Sequence, residues 1–316
     1  MTTATTPKPQ AVSRSRSQII VLFIALIVFI MLLFANFAYL NTQSTYDKQY
    51  IGHAGELRVL SQRIAKNATE AAAGKAAAFK LLAEARNDFA QRWGYLKKGD
   101  PDTGLPAAPS AVRAEMRAVQ TDWEALLKNT DAILASEQTV LSLHQVAATL
   151  AETVPQLQME SEKVVDILLQ RGAPASQVAL AQRQSLLAER ILGAVNTVLA
   201  GDETAVQAAD AFGRDANRFG QVLTGMLQGN PGLRITQVED HDARARLAEI
   251  AELFEFVSGS VDEILETSPQ LFQVRASANN IFNLSQTLLD EASHLATGFE
   301  NLASGRSFDT IGGYVL

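Results

Sequence analysis

The feature that most constrains this chain is an apolar run of 22 residues, Ile19 to Leu40, with Asn36 as its only strongly polar member. At about 1.5 Å per helical residue the run spans roughly 33 Å, enough to cross a bilayer core. It is longer than the apolar segment of a cleavable signal peptide, and Tyr39-Leu40-Asn41 is a poor cleavage site. Residues 19–40 are therefore expected to form an uncleaved transmembrane signal anchor. Residues 1–18 carry Lys8, Arg14 and Arg16 and no acid, so this basic tail is expected in the cytoplasm and the chain after Leu40 outside.

The rest of the chain is helical in character. Aromatic residues are 7% of the total, Ala, Leu, Gln and Glu are abundant, and strand-favouring clusters are scarce beyond the apolar run. The absence of cysteine excludes disulfides, cysteine-bound zinc and thiol chemistry. The net charge is −7, of which the tail supplies +3, leaving −10 for the remainder. No basic stripe of the kind that holds nucleic acid is present. An anionic ligand has to be caught by local arginines against this acidic field.

From Thr45 the apolar spacing follows the helical period. Leu57, Leu60 and Ile64 mark one stripe, and Leu81, Leu82, Phe89, Trp93 and Leu96 mark another. Breaks fall at Gly74, Gly99-Asp100-Pro101, Gly172-Ala173-Pro174, Gly201-Asp202 and Gly229-Asn230-Pro231. Pro155 is expected to kink a helix and Ser268-Pro269 to start one. The chain also repeats itself. At a shift of 127, Arg63-Ile64 meets Arg190-Ile191 and Gly74 meets Gly201. At a shift of 130, Asn87, Phe89, Gln91 and Gly99 meet Asn217, Phe219, Gln221 and Gly229. At a shift of 131, Arg113, Trp123 and Asp131 meet Arg244, Phe254 and Asp262. This ordered agreement marks a duplication.

Each copy holds about four helical segments: 44–73, 75–98, 110–134 and 136–171, then 176–200, 203–228, 240–266 and 269–303. The expectation is an all-α fold. The transmembrane helix is followed by two tandem, duplicated modules resembling antiparallel four-helix bundles, over 44–172 and 174–305. Residues 306–316 turn apolar and read as the start of a truncated second transmembrane span.

The stretch Ile51 to Ile64 carries the candidate site. On a helical wheel Leu57 faces the core, Arg63 flanks the stripe, and Arg58 and Gln62 point to the opposite side. Arg58 can hold an anion only with help from elsewhere, such as the same helix of a second copy. A two-fold interface brings two such arginines together, and an anion between them relieves their repulsion. The plainer alternative is a solvated surface arginine. Arg63 recurs as Arg190 and reads as structural, whereas Arg58 meets Ser185 and is particular to the first copy.

Other chemistry is weakly signalled. Glu291 and His294 have the spacing of a di-iron ligand pair but lack the further pair and carboxylates. No phosphate loop, nucleophile elbow or zinc-protease motif occurs. Neither enzyme activity, metal nor cofactor is expected.

Ile51, Ala54-Gly55, Leu57-Arg58, Ser61 and Arg63 resemble the periplasmic helix of nitrate/nitrite sensor histidine kinases. The longer stretch Gln43 to Ala73, the segment Glu249 to Thr267, the anchor and the duplication together resemble the type IV pilus methyl-accepting chemotaxis transducers. That resemblance implies a non-enzymatic, homodimeric receptor, single-pass as written, in a bacterial inner membrane with a periplasmic sensor region. It implies a small anion or pilus component as ligand, and contact with a chemotaxis coupling protein and kinase only through a cytoplasmic part that this chain lacks. In the nitrate sensors the arginine at the position of Arg58 binds the anion across a dimer interface. The ligand or signal residues implied are Arg58, Ser61 and Gln62, with Gly55, Leu57, Arg63 and Arg190 as the structural motif. The competing reading is a structural or adaptor membrane protein with no ligand response.

Overall fold

A computed structural model describes residues 12–201 and 203–312. Seven α-helices account for most of these: α1 (Val12–Ala72), α2 (Ala76–Lys98), α3 (Arg113–Ala135), α4 (Glu137–Gln170), α5 (Ala175–Ala200), α6 (Ala205–Gln228) and α7 (His241–Gly312). The fold is all-α, with only isolated β-bridges in two loops among the described residues. Residues 1–11 of the basic tail and 313–316 of the expected second span lie outside the described residues, as do the side chains of 12–19 and 307–312.

α1 joins the apolar run to the motif without a break, over 61 residues. Ile20 to Phe34 present exposed apolar side chains, including Phe34 at 75%, whereas Tyr50, Ala54 and Leu57 are buried. Burial therefore begins a few residues past Leu40, where the apolar run gives way to the helical stripe. One helix among the described residues is long and apolar enough to cross a membrane.

Two places differ from the sequence expectation. Residues 240–266 and 269–303 form one 72-residue helix, α7, with Pro269 inside it. Proline cannot bond the carbonyl four residues back, here Leu265. The Ser268 hydroxyl donates to that carbonyl at 3.4 Å, and Ile264, Ser268 and Leu271 are buried around the junction. Packing on both sides outweighs one lost backbone bond. Pro155 lies inside α4, within the single helical segment expected over 136–171.

The second difference concerns what forms a bundle. α7 runs antiparallel to α1, with Gln62 against Ser285 and Asp47 against Arg306. Further toward its N-terminus it meets α4 at Glu263–Ser142 and at Arg246–Glu160. One bundle thus contains α1, α2, α3 and the C-terminal half of α7. The other contains α4, α5, α6 and the N-terminal half of α7. The packing units are not the contiguous stretches 44–172 and 174–305. Each bundle takes three helices from one repeat and its fourth from the other, because α3–α4 and the two halves of α7 are rods that carry on into the neighbouring bundle.

The duplication is visible in detail. Phe89 stacks on Trp123 at 4.1 Å between centroids, and Phe219 on Phe254 at 4.7 Å. Asp100 bridges Leu105 as Asn230 bridges Ile235. Gly74 packs under the His144 ring and Gly201 under the Arg275 side chain, again equivalent positions. Both glycines have positive φ and close the turns where the two bundles meet.

Candidate signalling surface on the membrane-connected helix

The motif residues lie on three faces of α1. Leu57 is fully buried and anchors the helix in the first bundle. Ser61 is also buried, and its hydroxyl donates to the Arg58 carbonyl at 2.8 Å. That bond satisfies the hydroxyl within its own helix. Gln62 is half-buried and reaches α7: its Nε2 donates to the Ser285 carbonyl at 3.2 Å, and its Oε1 accepts from Gln286 at 3.4 Å. Arg58 is exposed, and its guanidinium makes no hydrogen bond or ion pair among the described residues. The structure therefore does not gather Arg58, Ser61 and Gln62 into one pocket within the chain.

The paired arginines of the repeats also part ways. Arg190 lies 3.0 Å from Asp215 of α6. Arg63 is exposed and unpaired among the described residues, because Ala85 stands where the second repeat has Asp215. A Cβ at Gly55 or Gly52 would meet nothing within 4 Å, so neither glycine is required by packing inside the chain. With Val59, which is 61% exposed, they form a smooth stripe beside Arg58. Among the described residues no three His, Asp or Glu side chains converge as metal ligands.

A clasp nearer the anchor was not evident from the motif. Tyr50 stacks on Phe299 at 5.0 Å with the rings nearly parallel. The Tyr50 hydroxyl donates to the carbonyls of Pro106 at 2.8 Å and Ala107 at 3.2 Å, binding the α2–α3 loop to α1. One turn earlier Asp47 pairs with Arg306 at 2.8 Å. Tyr50 precedes Ala54 and Leu57 at helical spacing, so the buried stripe extends two turns before Leu57. Its repeat counterpart Gln177 makes the equivalent bonds to Thr236 and Gln237.

Burial, and next the Asp47 charge, push the Tyr50 phenol from 10.0 up to about 12. The neutral phenol is favoured by folding, so its stabilisation is complete below pH 10 and is lost as pH rises toward about 12. Alkaline denaturation curves should show this loss, and Tyr50→Phe should remove that part of the pH dependence. An unchanged curve in Tyr50→Phe would contradict the assignment.

Residues 39–149 match the family described as type IV pili methyl-accepting chemotaxis transducer, N-terminal. The chain is 72% identical over 303 residues to protein PilJ of Pseudomonas aeruginosa, covering 96% of this chain and 44% of that protein. It is 50% identical over 287 residues to a protein of Alcanivorax borkumensis described as methyl-accepting chemotaxis AlkN, covering 90% of this chain and 41% of that one. The chain thus spans less than half the length of these curated relatives. The family match runs from α1 through α3 into the start of α4, and the similarity to the two relatives extends over nearly the whole chain, so the chain is similar to the N-terminal part of type IV pilus methyl-accepting chemotaxis transducers such as PilJ.

Proposed function

We propose that this chain is the extracytoplasmic sensor part of a type IV pilus chemotaxis-like receptor. It passes a ligand or pilus-derived signal across the inner membrane to a kinase pathway controlling twitching motility. The observation that carries this reading is α1, one helix from the anchor through the motif to Ala72, clasped antiparallel to α7. A shift imposed at Arg58 or Gln62 acts directly on the helix that enters the membrane, with no loop to absorb it. The basic tail before the anchor favours a periplasmic position for the bundles. Coupling protein and kinase act on the cytoplasmic side of the anchor.

The receptor works as a homodimer through the exposed stripe of Gly52, Gly55 and Val59. Small residues let two α1 helices approach, and the neighbouring Arg58 of each copy faces the interface. A small anion or an acidic group of a pilus component then bridges the two guanidinium groups.

The chain has no native cysteine, so Val59→Cys introduces a single thiol. Mild oxidation of this variant in membranes should yield a covalent dimer. In the full receptor, Arg58→Ala should reduce the twitching response while leaving the thermal melting profile of the bundles intact. Absence of the cross-link together with a normal response in Arg58→Ala would remove this surface from the signalling path.

A further inference from the structure

The two repeats offer an internal comparison of one surface. In the first bundle Arg86 of α2 reaches α3, its Nη2 lying 2.8 Å from Asp131 Oδ1, while its Nη1 donates to Asn87 Oδ1 at 3.0 Å. Both acceptor residues recur in the second bundle, as Asn217 on α6 and Asp262 on α7. The cation does not, because Ala216 stands at the position of Arg86.

Neighbouring exchanges widen the same surface. Gly213, Gly220 and Ser258 occupy the positions of Ala83, Ala90 and Leu127. The result is a groove of about 530 Å³ lined in part by Asn217, Gln221, Thr224, Asn230, Ser258 and Asp262. That size suits a small molecule. Asp262 has no hydrogen bond or ion pair among the described residues, and Asn217 Oδ1 accepts only from Gln221 Nε2, at 2.7 Å.

Charge at the other end of the groove is reversed. An adjoining cavity of about 470 Å³ shares Gly213, Asn217 and Gln221 and is lined by two cations, Arg214 and Arg218, and one carboxylate, Asp210. The first repeat has Glu84 and Asp88 at the two arginine positions and Lys80 at that of Asp210, so the net exchange is toward positive charge. A bare cation is repelled by these arginines, whereas a molecule with an anionic end is held by them.

We propose that this α6–α7 groove binds a small zwitterion carrying a guanidinium group at one end and a carboxylate at the other. The guanidinium takes the place that Arg86 fills in the first bundle, against Asp262 and Asn217. The carboxylate lies toward Arg214 and Arg218. A planar guanidinium matches a carboxylate with paired hydrogen bonds, which an uncharged urea group does not reproduce. This site lies in the bundle farther from the anchor and does not depend on the role of Arg58.

Calorimetric titration of the whole chain in detergent with arginine and with citrulline, in which an uncharged urea group replaces the guanidinium, tests the assignment. Arginine should bind at least about tenfold more tightly than citrulline. Asp262→Asn should weaken arginine binding by about tenfold or more, whereas Asp131→Asn in the first bundle should not. Ala216→Arg should abolish binding by filling the groove, and Arg86 shows that the fold accepts arginine at this position. Absence of arginine binding, equal binding of citrulline, or binding unchanged in Asp262→Asn or Ala216→Arg would overturn the proposal.

Discussion

Replacing Tyr50 with alanine is expected to cost about 3–5 kcal/mol of folding stability, the range for truncating a fully buried aromatic side chain. Tyr50 is 1% exposed and Phe299 2%, so the truncated site opens between two packed helices where solvent has no access. The stacked pair and two hydrogen bonds to the α2–α3 loop are lost together. Tyr50→Phe keeps the ring and should cost only about 0.5–1.5 kcal/mol, the net worth of an ordinary hydrogen bond, because Pro106 and Ala107 are exposed and water can take the donor's place. Urea denaturation of both variants separates packing from hydrogen bonding. The clasp also holds α1 and α7 in register next to the apolar run. A Tyr50→Ala cost no larger than that of a surface substitution would show that the clasp does not hold the bundle.

Gly99→Ala is expected to destabilise far more than Gly229→Ala, although the two glycines are repeat equivalents. Both have φ above +80°, where an L side chain costs about 1–3 kcal/mol. At Gly99 a Cβ would also lie 2.4 Å from the Leu105 carbonyl oxygen, a backbone atom locked in the bridge between Asp100 and Leu105. At Gly229 the nearest atom would be 3.8 Å away. Gly229→Ala should therefore cost only the conformational strain, whereas Gly99→Ala must also displace the loop that Tyr50 holds. Thermal melting of the two variants measures the difference. Equal losses would mean that the loop yields freely, and would also undercut the Tyr50 assignment.

Helix positions were largely legible from the chain because apolar side chains recur at helical spacing and glycines stand at the turns. Gly74, Gly99, Gly172, Gly201 and Gly229 all end or join helices with positive φ. Pro269 was misread as a helix start, since local proline chemistry was weighed without the burial that carries the helix across it. At the candidate site, the wheel placed Arg58 outward and Leu57 inward, as found. It did not show that Ser61 turns back on its own helix or that Gln62 reaches α7, because both depend on what lies opposite. Tyr50 was missed because its partners, Pro106, Ala107 and Phe299, are distant in sequence.

The anchor, the helical class and the duplication follow from hydrophobic period and repeated residues, which act locally and survive in any packing. Which helices share a bundle is a different kind of fact. The two repeats have similar stripes, so each fourth helix can bury its apolar face in either bundle. Only the rod-like continuation of α3 into α4, and of α7 across Pro269, carries those helices past their own repeat. The same folding leaves Arg86 paired with Asp131 in one bundle and Asp262 unpaired in the other, a difference that the aligned residues contain but only their meeting across two helices makes chemically meaningful.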